Sequence, residues 1–229
     1  MKKLLKTLLT LVVGLTLLSS CNKKEESYIY SMYAVLYDNL GMSYMFKLDN
    51  GKILYPNNDL GILDHPSGSR LYITFSCNPD IFMGDNPKGD IIEIRTVPTY
   101  DIGIYAPDSL SRGAFVSTVG SPAYPNVICA NNYLTVEFPI LYNDAKKHTF
   151  GFMQDGANYY QNDTMYIRMW HNARGDGKGT MELQHIAINL SGMYIQNDSV
   201  VIALKCDIES SYGSFLGEKT IYSVYKRGN

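Results

Sequence analysis

The chain has 229 residues, 20 Lys and Arg against 22 Asp and Glu, a formal net charge of −2, and 45% apolar side chains. That length suits one large or two small domains, and the apolar share is enough for a real core. The mildly acidic balance excludes a phosphate-backbone reader, which needs a basic face, so no nucleic acid is expected as a partner.

Residues 1–20 read as a discarded leader. Lys2, Lys3 and Lys6 make a positive start, Leu8 to Leu18 is apolar apart from Thr10, Gly14 and Thr16, and Leu18-Ser19-Ser20 precedes Cys21. A charged start, a short apolar run and small residues before a cleavage point make a secretory signal. The run is too short to span a bilayer, which takes about 20 apolar residues. The cysteine after small residues resembles a bacterial lipobox. It implies acylation of the Cys21 thiol, cleavage before it, and attachment to a membrane through lipid. Losing the three lysines takes the net charge from −2 to −5. Residues 21–27 form a polar tether. Its Asn22-Lys23-Lys24-Glu25-Glu26 run is too charged to pack. The run also resembles the lysine-plus-acidic signal that sends some bacterial lipoproteins to the outer cell face, so an exported, membrane-anchored protein is expected, in the outer membrane and facing periplasm or surface.

From Tyr28 onward the apolar period is two. Tyr44, Phe46 and Leu48 alternate with polar or mixed neighbours, as do Leu71, Ile73 and Phe75, then Leu134, Val136 and Phe138, then Met165, Ile167 and Met169. These are half-buried strands, and the 19 tyrosines suit pleated surfaces. Asp49-Asn50-Gly51 marks a hairpin. Asn57-Asn58-Asp59, Asn78-Pro79-Asp80 and Gly84-Asp85-Asn86-Pro87 are further turns. The one short helix expected lies near Asp108 to Arg112. Residues 98–113, with Pro98, Gly103, Pro107 and Gly113, read as a linker. Residues 28–97 suit a five-stranded barrel of the OB type, and residues 114–229 suit a sandwich of about seven strands. The expected fold is all-β, a small OB-like barrel followed by an antiparallel β-sandwich. Between Met181 and Leu190 the apolar phase slips from Met181 and Leu183 to Ile186, Ile188 and Leu190, which a β-bulge would explain. Cys77, Cys129 and Cys206 remain beside Cys21, an odd number that leaves at least one unpaired. Cys206 continues the phase of Val200, Ile202 and Leu204 and reads as a core thiol.

Three blocks carry a family resemblance: Tyr44 to Pro56, Tyr133 to Phe138, and Ile167 to Asp176. Together they resemble the NigD-like lipoproteins over nearly the whole mature chain. The last block is the most specific, because that family has an Arg-His-Asn-x-x-Gly-Asp-like run after a strand. Here the match holds from His171 onward, while Met169 and Trp170 separate His171 from Arg168. The resemblance implies an OB-like N-terminal domain and a C-terminal sandwich. It also implies an association with bacteriocin loci, where an immunity role has been proposed, and no enzymatic reaction.

The candidate site is the run His171-Asn172-Ala173-Arg174-Gly175-Asp176. Its imidazole, amide, guanidinium and carboxylate at a strand end suit a ligand carboxylate or a sugar. Equally, His171 and Asn172 could bond backbone while Gly175, Gly177 and Gly179 supply positive φ. Both readings stay open. The four histidines, His65, His148, His171 and His185, share no metal-ligand spacing, so no metal and no cofactor is expected. No nucleophile elbow or Walker loop is present. Tyr142, Tyr159, Tyr160 and Trp170 sit in or beside polar loops, as sugar-stacking platforms or as ordinary strand-edge aromatics. Ser109, Thr164 and Ser199, each after an aspartate and before an apolar residue, resemble O-glycosylation acceptors of exported bacterial proteins. The reading is a non-enzymatic, lipid-anchored envelope protein that binds a protein partner, with glycan binding second and an enzyme third.

Overall fold

Strict alternation, interrupted by short polar turns, produces strands almost everywhere. The computed structural model describes residues 26–38, 43–103, 116–117, 125–157, 159–177, 179–193, 197–209 and 215–227. Cys21, Ser109 and the short helix expected near Asp108 to Arg112 lie outside them.

Five strands close a barrel in the order β1-β2-β3-β5-β4: β1 (Tyr28–Asp38), β2 (Tyr44–Leu48), β3 (Ile53–Pro56), β4 (Arg70–Cys77) and β5 (Lys88–Thr96). Closure uses the length of β1. Its first part, Tyr28 to Val35, pairs with β4, and its end, Ala34 to Asp38, pairs with β2. A stagger of this kind is what tilts strands into a barrel. The inward phase read from the sequence holds, with Phe46, Leu48, Leu71, Ile73 and Phe75 buried, and Leu36 and Leu54 join them. Gly51 adopts a φ of +85° in the hairpin that Asp49-Asn50-Gly51 marks. A helix, α1 (Pro79–Met83), plugs one mouth. The Asn78 side chain caps it by accepting the Asp80 N–H at 2.8 Å, and its Phe82 stacks on Tyr30 at 4.1 Å.

The rest of the chain is a sandwich. One sheet has the order β6-β14-β10-β9: β6 (Thr99–Tyr100), β14 (Thr180–Asn189), β10 (Tyr133–Tyr142) and β9 (Asn126–Ala130). The other runs β16-β15-β13-β11-β7: β16 (Phe215–Lys226), β15 (Ser199–Glu209), β13 (Thr164–Asn172), β11 (Thr149–Gln154) and β7 (Ile102–Gly103). Two short strands flank it, β8 (Val116–Ser117) on β15 and β12 (Tyr160–Gln161) on β13. Residues 99–103, read from the sequence as linker, thus join both sheets as β6 and β7. The sandwich is also mixed, where antiparallel pairing was expected. After β13 the chain crosses to the other sheet as β14 and returns as β15, so β13 and β15 enter from the same end and pair in parallel.

No bulge interrupts β14. It pairs with β10 in unbroken register from Asn189 to Thr180. The phase slip in its sequence has another cause. Ile186 and Ile188 face the sandwich core and Ala187 faces the barrel, all buried, while Met181 and Leu183 are exposed. The strand therefore carries apolar residues on both faces, and the face they need changes along its length. Register shifts do occur elsewhere, between Thr74 and Phe75 and between Ile208 and Glu209.

Barrel and sandwich share a third small core made by Tyr33, Val35, Val97, Tyr133 and Ala187. Strand β10 is consequently covered on both faces, and even Thr135 is fully buried.

Candidate functional site

His171 is the next inward position of β13 after Met165, Ile167 and Met169, and it is 3% exposed. Its ring stacks on Phe150 with centroids 4.6 Å apart. His171 Nε2 lies 2.7 Å from His148 Nδ1, and His148 Nε2 lies 3.2 Å from Asp176 Oδ2. The proton positions follow from the end of the chain. A carboxylate only accepts, so His148 Nε2 carries a hydrogen and donates to Asp176. With His148 neutral, its Nδ1 lone pair accepts from His171 Nε2–H. Asp176 also accepts the backbone N–H groups of Asn143, at 2.7 Å, and Asp144, at 2.9 Å, with Lys147 Nζ 3.6 Å away. The N–H of Asp144 foremost, then those of Asn143 and His148, hold this carboxyl far below the usual carboxylate range against the opposing effect of burial.

The structure thus brings His171 and Asp176 together through His148, a residue whose sequence spacing points nowhere. Asn172 and Arg174 do not join them. The Asn172 side chain accepts the Arg174 N–H at 2.8 Å, and Arg174 itself turns the loop with a φ of 48° and an exposed side chain. Of the three glycines expected at positive φ, only Gly175 has it, at 72°. Gly177 and Gly179 serve close approach instead: a Cβ on either would sit 2.3 or 2.1 Å from the Asn143 side chain. His171, His148 and Asp176 form a sealed, directional hydrogen-bond chain that ties the 143–148 turn to β13 and its following loop.

Arg70, which no sequence motif marks, holds the other buried polar cluster. Its side chain is 0% exposed and makes two hydrogen bonds to Asp49, at 2.6 and 2.5 Å. It also donates to Thr135 Oγ1 from Nε, at 3.0 Å, and from Nη2, at 2.9 Å. The guanidinium lies 5.0 Å from the Tyr33 ring and 5.6 Å from that of Tyr133. Asn131 Nδ2 completes the group by donating to Asp49 Oδ1 at 3.0 Å. Asp49 and Arg70 belong to the barrel, Thr135 and Asn131 to the sandwich. Beside them Tyr33 Oη donates to Glu137 at 2.7 Å, so the His185 Nδ1 that also meets this hydroxyl must donate to it. Burial first, then Glu137, pushes the Tyr33 phenol far up, and burial pulls His185 down.

The remaining singled-out residues scatter. Thr164 opens β13 and is half-buried, and Ser199 opens β15 and is exposed. Cys77, Cys129 and Cys206 are free thiols, and Cys206 is buried in the sandwich core as its phase required. Tyr142 donates to Glu182. The Trp170 ring lies over Gly151, where a Cβ would come within 2.5 Å of it. Tyr159 and Tyr160 line a cavity of about 370 Å³ at one end of the sandwich with Ile102, Gln154, Met165 and Met193.

Residues 122–220 match the family model described as the NigD-like C-terminal beta sandwich domain. The chain carries a NigD-like sandwich. The resemblance read from the sequence is borne out, and the matched span covers β9 to β14, β15 and part of β16. Solved structures share the fold along most of the chain, barrel included. A NigD-like immunity protein from Bacteroides caccae superposes with a TM-score of 0.64 at 16% identity, covering 85% of this chain and 96% of that one. A candidate toxin-related protein from Parabacteroides distasonis gives 0.66 at 20% identity over 88% and 95%. A candidate lipoprotein from Bacteroides fragilis gives 0.62 at 10% identity over 87% and 97%. At these identities the likeness is one of fold. No curated protein matches the chain.

Proposed function

We propose that this NigD-like protein is exported, held to the cell envelope by lipid on Cys21, and acts by binding another protein rather than by catalysis. The observation that carries this reading is an apolar ledge on the four-stranded sheet. Met181 and Leu183 lie on the same face of β14 as His185 and Ala187, and they pair with Leu141 and Pro139 of β10. Where this face meets the barrel it is buried. Past the barrel wall, Met181 and Leu183 are 49% and 37% exposed. A sheet face continuous with an internal interface but open beyond it is a surface that a second protein can cover. The closed His171–His148–Asp176 chain supports a non-catalytic role, because it presents no open acid or base. The Bacteroides caccae relative is named an immunity protein, which makes immunity the specific role to test.

Cells lacking the gene are expected to become sensitive to the bacteriocin of a neighbouring strain. The chain restores protection, and a Met181→Asp, Leu183→Asp double variant with unchanged thermal stability does not. Equal sensitivity with and without the gene, or full protection by the double variant, would count against the reading.

Glycan binding is a second reading, favoured by the 370 Å³ cavity. The buried Tyr160 hydroxyl there has no hydrogen-bond partner among the described residues. A sugar hydroxyl would satisfy it while the tyrosine rings face the sugar's C–H surface. On a glycan array the chain from Lys23 onward is expected to retain a ligand that Tyr160→Phe loses. An empty array removes this reading.

A further inference from the structure

Four exposed large apolar side chains gather at one mouth of the barrel. Tyr28 and Ile29 open β1 at 53% and 70% exposure, and Ile81 and Met83 of α1 stand at 44% and 79%. They share that mouth because Tyr28 and Ile29 pair with Cys77 and Ser76, and Cys77 leads through Asn78 directly into α1. The barrel does not need them. Phe82, stacked on Tyr30 and packed near Phe75, already closes the core beneath.

What selects an occupant for this rim is where the chain leaves it. Cys21 is seven positions before Tyr28, so the two Cα atoms lie at most about 25 Å apart. The opposite mouth, where Val35 pairs with Arg70, is seven positions further along β1, about 23 Å away, so only a fully extended tether folded back along the barrel wall would bring it to the bilayer. An acyl chain on Cys21 therefore emerges beside the apolar rim and favours it, over the far mouth, as the face turned to the bilayer.

We infer that this barrel mouth docks on the membrane surface, with Tyr28, Ile29, Ile81 and Met83 entering the headgroup layer. The inference rests on the lipid-anchored reading above. Charge does not drive it. Among the described residues of the segments that build the rim, the ionised groups are Glu26, Asp80 and Asp85 against Lys52 and Lys88, and the tether adds Lys23 and Lys24 against Glu25; Lys52 Nζ is taken up by the carbonyls of Met83, at 3.0 Å, and Gly84, at 2.7 Å. The surface it fits is an uncharged or zwitterionic one, and the contact is insensitive to salt. Docking in this way fixes the orientation of the whole molecule, because the Arg70 cluster joins barrel to sandwich.

Fluorescence quenching tests it. Trp170 is the only tryptophan, and its emission, common to all variants, is subtracted with the unsubstituted chain. The lipidated full-length protein is placed in phosphatidylcholine vesicles with brominated acyl chains, carrying either Met83→Trp or, as a control, Leu63→Trp. Leu63 is also widely open, at 69%, and lies near the other mouth, beside the His65 that meets Thr96 at the end of β5. An apolar face in the interface sinks about 5–10 Å, so bromination is expected to remove about half of the added emission at position 83 and none at position 63, at low and high salt alike. Equal quenching at both positions, or none at 83, overturns the docking. Palmitate labelling of the same preparation separates the two ideas. A labelled chain without quenching at 83 sinks the docking alone, and a chain that takes up no label sinks docking and anchor together.

Discussion

Replacing Arg70 by alanine is expected to cost about 3–5 kcal/mol, the usual penalty for removing one partner of a buried ion pair. The guanidinium is 0% exposed and the Asp49 side chain only 12%, so water cannot take over its role. The loss also strips Thr135, whose hydroxyl accepts twice from Arg70, of its partner in a fully buried position. Because the cluster bridges the two bodies, the variant is expected to lose cooperativity as well as stability. In urea, Trp170 emission reports the sandwich alone while far-ultraviolet dichroism reports both bodies. The two transitions coincide in the unsubstituted chain and separate in Arg70→Ala. A double variant, Arg70→Met with Asp49→Leu, is expected to recover most of the loss, since it leaves no buried charge alone. A cost below about 1 kcal/mol for Arg70→Ala, in the range of a surface pair, would show that the cluster does not join the bodies.

The second large effect lies in the His171–His148–Asp176 chain. His148→Leu removes both of its internal hydrogen bonds and is expected to cost about 1–3 kcal/mol, as stranded buried polar groups do. Asp176 makes the chain pH-dependent. Its folded-state pKa is lowered, so its contribution is complete above the unfolded carboxyl value of about 3.9. It drains away as pH falls below that value toward the folded one. Asp176→Asn is therefore expected to lower stability at neutral pH and to flatten the acid limb of the stability curve. Asp155 stays as an internal reference. Burial opposes its ionisation, but Lys205 and Arg168 outweigh burial and lower its pKa, so some acid sensitivity persists in the variant. Thermal melts across the range from neutral to strongly acidic pH decide the matter. An acid limb of unchanged slope in Asp176→Asn would remove Asp176 from the account.

Much of this was legible in the order of residues. Period-two alternation located the inward sides of β2, β4, β10 and β13, and the phase of Val200, Ile202 and Leu204 placed Cys206 in the core. These readings succeed because side-chain direction along a strand is a local property of the backbone. The same rule already assigned His171 inward, as the fourth member of the Met165, Ile167, Met169 series. Its position in a polar run hid that.

Tertiary structure alone decided the rest. No local rule says that β13 and β15 lie side by side in parallel, because the crossing through β14 determines it. The apparent slip in β14 could not be told from a bulge, since a strand with one neighbour per face looks irregular when the neighbour on one face ends partway along. Arg70 and His148 gained their roles from partners 21 to 65 positions away. Such pairings follow from which surfaces meet, and burial then makes their hydrogen bonds obligatory.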